Sequence, residues 1–416
     1  MISVGIDVSK SRSTVAIMRA GGEVLAAPYD VLHNYESLLS LIDKIRTYDE
    51  EVRVVLEATG HYHLPVSTFL AENGIFVCIV NALRMKKFNA QDLRGAKNDE
   101  IDSLSIASYG LVYWNKLTPV LHVDTAYSEL RTLSRQYYQF VSLLVKSKVN
   151  LSNLLDQVMP GINAILKDSK TNNKLTDFVA RYHHFENILA MGEKRFIADY
   201  CKWAKKQGYR GNERKANEIF ALSQNGIPVI ANTLSTKIAV LETIRILQET
   251  EKSRDTILSH MIEICKSIPE FSVVLGMGGV GEVLAVRLIA EIGDVRRFKN
   301  RNSLIAYSGI DVPIYQSGKF KAIERHITKR GNKYLRKTGY EVIQSLNKHQ
   351  RKYSDDPVFQ FVQKKRGEGK KFKKAAIAGL NKFLRIYYAR VSEVYTEIVH
   401  DLVFASDWTR PTTSSD

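Results

Sequence analysis

Ala96-Lys97-Asn98-Asp99-Glu100-Ile101-Asp102-Ser103-Leu104-Ser105-Ile106-Ala107 reads as the start of a helix whose first turn is acidic. Asp99 stands where a side chain can cap that helix, and Asp102 follows three residues later on the same face. Two carboxylates aimed at one spot repel, so the pair is costly unless a divalent cation or a shared proton offsets the charge. Taken alone, an Asp-x-x-Asp is more often a solvated acidic face. What surrounds it decides.

Toward the N-terminus, Val52 to Glu57 is a β-branched run ending in an acid, followed by Ala58-Thr59-Gly60 and a helix around Leu64 to Asn73. Ile75 to Val80 reads as a further strand and Arg84 to Lys97 as a loop. Earlier still, Ile2 to Val8 is a strand with Asp7 near its end. Ser13 to Met18 and Glu23 to Ala27 are its expected partners across a Gly21-Gly22 turn, and Asn34 to Ile45 reads as a helix. Three strands, a helix, then alternating strands and helices predict a mixed α/β sheet. Ligands of such sheets gather beyond the carboxyl ends of the strands. If the strands bearing Asp7 and Glu57 are neighbours, both acids meet the helix bearing Asp99 and Asp102. Four oxygen donors without His or Cys suit hard cations, Mg²⁺ or Mn²⁺, and a pair of such ions can cleave a phosphodiester. Each acid also has a plainer reading. Asp7 can simply end a strand, or serve a nucleotide's metal as in actin-like sugar kinases, whose first strand also reads Gly-Ile-Asp; the further glycine-rich loops of that fold are not found. Glu57 alone is a common surface acid.

The charge is localised. Residues 296–390 hold 25 Lys and Arg against 6 Asp and Glu, a net of +19, while all 416 residues net +16 and the remainder −3. That argues for one polyanion-binding surface. Cys78, Cys201 and Cys265 are too scattered for a metal knuckle and suit a reducing compartment. No basic lead precedes the first apolar residues and no uncharged apolar run reaches a membrane span, so a cytoplasmic protein with no membrane partner is expected.

Thr125 to Met159 and Thr233 to Ile268 carry apolar residues at helical spacing, among them Leu130, Leu133, Tyr137, Phe140 and Leu144, then Ile238, Leu241, Ile244 and Leu247. Two readings stay open: a spacer that dimerises as a coiled coil, or a helical hairpin folded on its own domain. The expected organisation is 1–118 as a catalytic domain, 119–268 as the long-helix region with an insertion about 162–228, 269–404 as a mainly helical basic domain, and 405–416 as a tail, with residues 410–416 disordered.

Leu275-Gly276-Met277-Gly278-Gly279-Val280-Gly281-Glu282 formally matches a dinucleotide fingerprint, but no parallel-sheet pattern surrounds it and no acid follows at the required distance. A glycine hairpin between helices, with Gly278 and Gly281 offering N–H groups to a phosphate, fits the basic neighbourhood better. Further on stand Tyr315-Gln316-Ser317-Gly318-Lys319 and Ile327-Thr328-Lys329-Arg330-Gly331-Asn332-Lys333-Tyr334-Leu335-Arg336. Lys319, Arg325, Lys329, Arg330, Lys333 and Arg336 make a cationic field there, and Lys370 and Lys371 continue it before a helix expected over Ala375 to Val394. On chemistry alone Ser317 is a turn serine, Tyr315 a rival nucleophile and Ser308 a weaker one.

Gly5-Ile6-Asp7-Val8-Ser9-Lys10, Leu56-Glu57-Ala58-Thr59-Gly60 and Lys97-Asn98-Asp99-Glu100-Ile101-Asp102, with the segment around Gln316-Ser317-Gly318, resemble the DEDD transposases of the bridge-RNA-guided insertion-sequence family, relatives of the Piv-type DNA invertases. Asn98 stands where Thr is usual and Ser103 where Ala is usual; neither is a proposed ligand. The resemblance implies a RuvC-type, RNase H-like N-terminal domain with Asp7, Glu57, Asp99 and Asp102 as metal-binding acids, and a C-terminal domain whose nucleophile maps to Ser317. It implies donor and target DNA as substrates, a structured bridge RNA as partner, and dimers pairing into tetramers. The setting it implies is the nucleoid of a bacterium or archaeon. An unguided invertase or RuvC-like nuclease, or a non-catalytic DNA-binding protein, stays open.

Overall fold

Alternation along β1 (Ile2–Val8) defines the two sides of the N-terminal sheet. Ile2, Val4, Ile6 and Val8 enter one core, while Ser3, Gly5 and Asp7 face the other way. The computed structural model describes residues 1–90, 98–120, 125–169, 172–313, 316–317, 320–321 and 326–407, with backbone only at 316–317, 320–321 and 399–407. Two compact units, 1–123 and 124–416, divide the chain.

In the first unit β1 pairs antiparallel with β2 (Arg12–Arg19), which pairs antiparallel with β3 (Glu23–Leu32). After α1 (Tyr35–Arg46), β4 (Val52–Glu57) joins the other side of β1 in parallel. After α2 (His63–Glu72), β5 (Val77–Val80) joins β4 in parallel, giving the order β3-β2-β1-β4-β5. The mixed sheet expected from the sequence is therefore present. Helices α1 and α2 bury Leu38, Leu41, Ile42, Val66 and Leu70 against one face. On the opposite face, α4 (Asp99–Val112) sets Ile106 and Tyr109 against Val55, Cys78 and Val80. One expectation fails locally. Part of the stretch read as a loop is a helix, α3 (Ala82–Asn89), because Asn81 caps it through Leu83 N–H at 2.8 Å and Met85 is buried beneath it. Its other side chains are mostly polar, which hides the helical period.

The second unit is built on α5 (Thr125–Val158) and α11 (Leu234–Lys266). They pack on each other in antiparallel sense: Leu155 shares a core with Val240, Lys148 pairs with Glu251 at 3.0 Å, and Tyr127 reaches the region of Cys265. Within the chain, the two helices form a hairpin. The burial seam of α11 runs through Thr236, Val240, Ile244 and Leu247, leaving Ile238 half exposed at 51%. Between the long helices lies a module of α6 to α10 (Ile162–Ile165, Lys174–Tyr182, Phe185–Met191, Glu193–Lys206, Glu213–Asn225), whose core of Phe178, Phe185, Phe196 and Tyr200 also encloses Leu151 and Leu155.

The other ends of the long helices merge with the C-terminal core. Tyr127, Leu130, Met261 and Cys265 pack with α12 (Phe271–Leu275), α13 (Glu282–Ile292), α14 (Arg301–Ser308), α15 (Lys333–Lys348), α16 (Pro357–Gly367) and α17 (Phe372–Asp407), so this core spans the boundary expected at 268. Helix α17 outruns the expected Ala375 to Val394 and continues through Asp407; residues 410–416 lie outside the described residues. A two-stranded hairpin, β6 (Gln316–Ser317) and β7 (Phe320–Lys321), precedes α15. Among the described residues no helix is long and apolar enough to cross a membrane.

Candidate active site

The acidic corner of the first unit follows from strand register and two glycines. Ile6 pairs with Leu56 across the parallel strands, so Asp7 and Glu57 stand one step beyond, side by side at the carboxyl ends. Both lie on the α4 side of the sheet, because Gly5 and Val55, two residues earlier in each strand, face α4. A Cβ on Gly5 would lie 2.2 Å from the Ser103 carbonyl oxygen and 2.3 Å from the Ala107 nitrogen, and one on Gly110 would lie 2.1 Å from Ser3 Oγ. Helix α4 thus rests directly on β1 and runs against it, with its first turn over the end that bears Asp7.

That first turn carries Asp99, exposed, and Asp102, half-buried. Here the sequence reading needs a correction. Asn98, not Asp99, is the N-cap: its Oδ1 accepts from Ile101 N–H at 2.7 Å, and its carbonyl accepts from Asp102 N–H at 3.0 Å. The backbone-to-cap bonding that Asp99 could have made is already satisfied, which leaves its carboxylate for other partners. The positive end of the helix dipole also favours acids here. The backbone therefore sets Asp7 beside Glu57 and brings the first turn of α4 to the same end of β1. Among the described residues no three His, Cys, Asp or Glu side chains lie close enough together to hold a metal ion, so the carboxylates are not gathered into a ready-made ligand set.

Register reveals a neighbour the sequence reading missed. Asp7 pairs with Thr14, and Thr14 with Asp30, so Asp30, Thr14, Asp7 and Glu57 form one row across four strands. Thr14 Oγ1 donates to Asp30 Oδ1 at 2.9 Å, and Arg12 pairs with Asp30 at 3.0 Å. The signal was the register set by the Gly21-Gly22 turn, although an irregularity between β2 and β3 obscures it.

In the second unit, the excursion that carries Ser317 has a stapled base. Asn332 N–H donates to the Tyr307 carbonyl at 2.7 Å, Lys329 N–H to Gly309 at 3.0 Å and Thr328 N–H to Asp311 at 3.0 Å. The Thr328 hydroxyl adds a bond to Asp311 Oδ1 at 2.6 Å. The two edges approach so closely that a Cβ on Gly331 would lie 2.4 Å from the Tyr307 carbonyl oxygen. Ser317 ends β6, paired with Phe320. Tyr315, Lys319 and Arg325 lie outside the described residues.

Beneath the staple, Glu291 on α13 is fully buried. Its carboxylate accepts from Ser134 Oγ at 2.7 Å, Arg135 at 3.0 Å and Asn332 Nδ2 at 2.7 Å. Asn332 caps α15 in turn, so one acid ties α5, α13 and α15 to the turn at 328–331. The phenol of Tyr307, which donates to the Glu291 carbonyl at 3.1 Å, is held below its ordinary range: burial opposes ionisation, but Arg131 and Arg297 outweigh it.

The cationic field divides. Lys329, Arg330, Lys333 and Lys371 are exposed and form no ion pair among the described residues, while Lys370 approaches Glu368 at 3.9 Å. Arg336 differs. Its guanidinium donates to the Ser308 and Gly331 carbonyls at 2.9 and 3.1 Å, so it braces the staple. Gly278 and Gly281 also separate. A Cβ on Gly278 would strike Asp356 Oδ2 at 2.1 Å, which makes it a packing glycine, whereas Gly281 is exposed at the start of α13 with open space around it.

Comparison with known proteins sets these two sites in a common frame. Residues 4–160 match the DEDD transposase family of the IS110 type, and residues 272–357 match the family described as Transposase IS116/IS110/IS902. The two matches contain the acidic corner and the Ser317 excursion respectively, and both define the class as transposase. The chain belongs to the IS116/IS110/IS902 family of transposases, as the motif resemblance anticipated. It is 22% identical to the insertion element IS116 uncharacterized 44.8 kDa protein of Streptomyces clavuligerus over 88% of this chain and 89% of that protein. Among solved structures it is similar to Thermus thermophilus RuvC, alone and in complex with a Holliday junction substrate, at 14% identity over 29% of this chain and 100% of the other, with TM-scores of 0.24 and 0.23.

Proposed function

We propose that this transposase cuts and rejoins DNA strands with two sets of groups, the acids Asp7, Glu57, Asp99 and Asp102 and the hydroxyl of Ser317. The observation that carries the reading is the register that sets Asp7 beside Glu57 under the acidic first turn of α4. Four carboxylate positions without His or Cys fit a hard divalent ion, and Mg²⁺ or Mn²⁺ bound there would neutralise charge on the reacting phosphate. The residues' own tasks follow. Ser317 Oγ bonds to phosphorus and gives up its proton, the bond to one strand oxygen breaks, and that oxygen leaves as a hydroxyl; rejoining reverses the exchange. Lys329, Arg330 and Lys333 hold the flanking phosphates. A composite site of this kind, with its halves drawn from different protomers, accounts for the two separate sites, and dimers pairing into tetramers on donor and target DNA are the corresponding assembly. A structured bridge RNA as the guide belongs to the same reading.

The test is strand cleavage of supercoiled plasmid carrying the element ends, with any co-purifying RNA retained. Asp102→Ala and Ser317→Ala should each remove cleavage, and chelation by EDTA should remove it reversibly. Denatured reaction products should carry protein covalently attached through Ser317. Full cleavage by Ser317→Ala would make water the nucleophile and leave a RuvC-like nuclease.

A further inference from the structure

We propose that the module between the long helices carries a second nucleic-acid surface, a duplex phosphate clamp formed by Lys174, Lys205, Lys206, Arg210, Arg214 and Lys215. It rests on the DNA-processing reading above and adds a site far from the Ser317 excursion. Residues 162–228 hold 12 Lys and Arg against 7 Asp and Glu, and 202–215 alone hold 6 against 1, so the whole surplus of the module sits in fourteen residues.

The fold brings this stretch together with Lys174. The turn after α9 lies back on that helix, where a Cβ on Gly211 would meet Ala204 Cβ at 2.3 Å, and Lys174 Nζ donates to the Arg210 carbonyl. Lys205 and Lys206 end α9, where cations suit the helix dipole. Lys174, in the first turn of α7, holds its Nζ 5.7 Å from the centre of the Tyr200 ring on α9, and Arg214 and Lys215 lie in the first turn of α10. Lys174 is further disfavoured as a cation by burial and by the charge of Lys215. The nearby acids do not relieve this. Asp168 accepts the Leu175 and Thr176 N–H groups, Asp177 accepts from Tyr209 and Glu218 pairs with Arg214, so Lys174, Lys205, Lys206, Arg210 and Lys215 form no ion pair among the described residues. A polyanion laid along these cations would supply the counter-charge that the protein does not.

The composition selects a duplex. Trp203 is buried, and Tyr209 is half-buried with its ring against Trp203 and its hydroxyl tied to Asp177, so 202–215 present no fully exposed aromatic on which an unpaired base could stack. What remains is sequence-independent contact with regularly spaced phosphates. Helix α5 separates the two basic surfaces: the module core holds its residues from Leu144 onward and the C-terminal core holds those up to Tyr138, with Leu130 and Val158 roughly 40 Å apart along the axis. One duplex could engage both.

The full-length protein with Lys205→Gln, Lys206→Gln and Arg210→Gln combined should still melt as the parent does, since all three side chains are exposed. Binding to a random 40-base-pair DNA duplex, followed by fluorescence anisotropy across salt concentrations, should show the slope of log K against log salt reduced by about 2.7, roughly 0.9 for each phosphate that is no longer neutralised. A poly-dT single strand should show a smaller change. An unchanged duplex slope would overturn the proposal, as would an equal weakening of binding to acidic phospholipid vesicles, which would identify a general anion surface. Lys329→Gln with Arg330→Gln is the parallel measurement: if that pair alone lowers the slope, the Ser317 region is the DNA surface and the module is not.

Discussion

The acidic corner and the Ser317 excursion are held in place in opposite ways. The corner is built from regular elements, two parallel strands and a helix that touches the sheet at glycines, so its precision comes from register and backbone contact. The excursion hangs from irregular backbone, and its base is fixed by four hydrogen bonds and a buried acid that joins three helices. A site on rigid elements is placed by the fold, whereas a site on a loop is placed only as well as its anchors allow.

Three substitutions would sharpen or break that contrast. The largest effect is expected from Glu291→Ala. Removing this buried carboxylate takes the acceptor from Ser134 and Arg135 and the shortest bond from Asn332, so the second unit should lose about 3 kcal/mol in urea unfolding, and cleavage should fall with it. Activity retained at full level would mean that the excursion needs no anchor. Next, Gly5→Ala forces α4 away from β1 and should cost about 2 kcal/mol, together with much of the activity because the acids separate. A variant that keeps its stability and loses cleavage would sharpen the contrast further, since the corner would then depend on spacing alone. The smallest change in stability, about 1 kcal/mol, is expected from Thr328→Val, which removes the hydroxyl's bond to Asp311 and the long bond it accepts from Arg330 N–H. Its rate of strand cleavage should nevertheless fall more than its stability does, because the edge of the excursion at Thr328 is then held to Asp311 by a main-chain bond alone.

The same contrast explains what could be read from the sequence. Strands ending near Asp7 and Glu57 and the acidic helix start were legible because alternation and helix-start composition are local signals, and the strands that bear the two acids are indeed neighbours. Thr14 and Asp30 were not, since their alignment with Asp7 depends on a pairing register that no short motif encodes. Helix α3 was missed because one buried Met85 does not make a visible period. At the other site the cations around Ser317 were plain, but the division of labour among them was not: Arg336 as a brace and Gly278 as a packing position appear only once distant segments meet. Glu291 looked like any acid in an apolar helix, and its role depends on residues 157 and 41 positions away.

The antiparallel course of α5 and α11 has a consequence for how this chain can vary. The peptide that leaves at Val158 and the one that returns near Thr233 are neighbours, as the bond from Val229 N–H to the Gln157 carbonyl at 2.9 Å shows. Whatever is spliced in there starts and finishes at one spot, so an entire helical module can be gained, trimmed or exchanged without shifting either trunk of the hairpin, for a closure penalty that grows by only about 0.6 kcal/mol with each doubling of length.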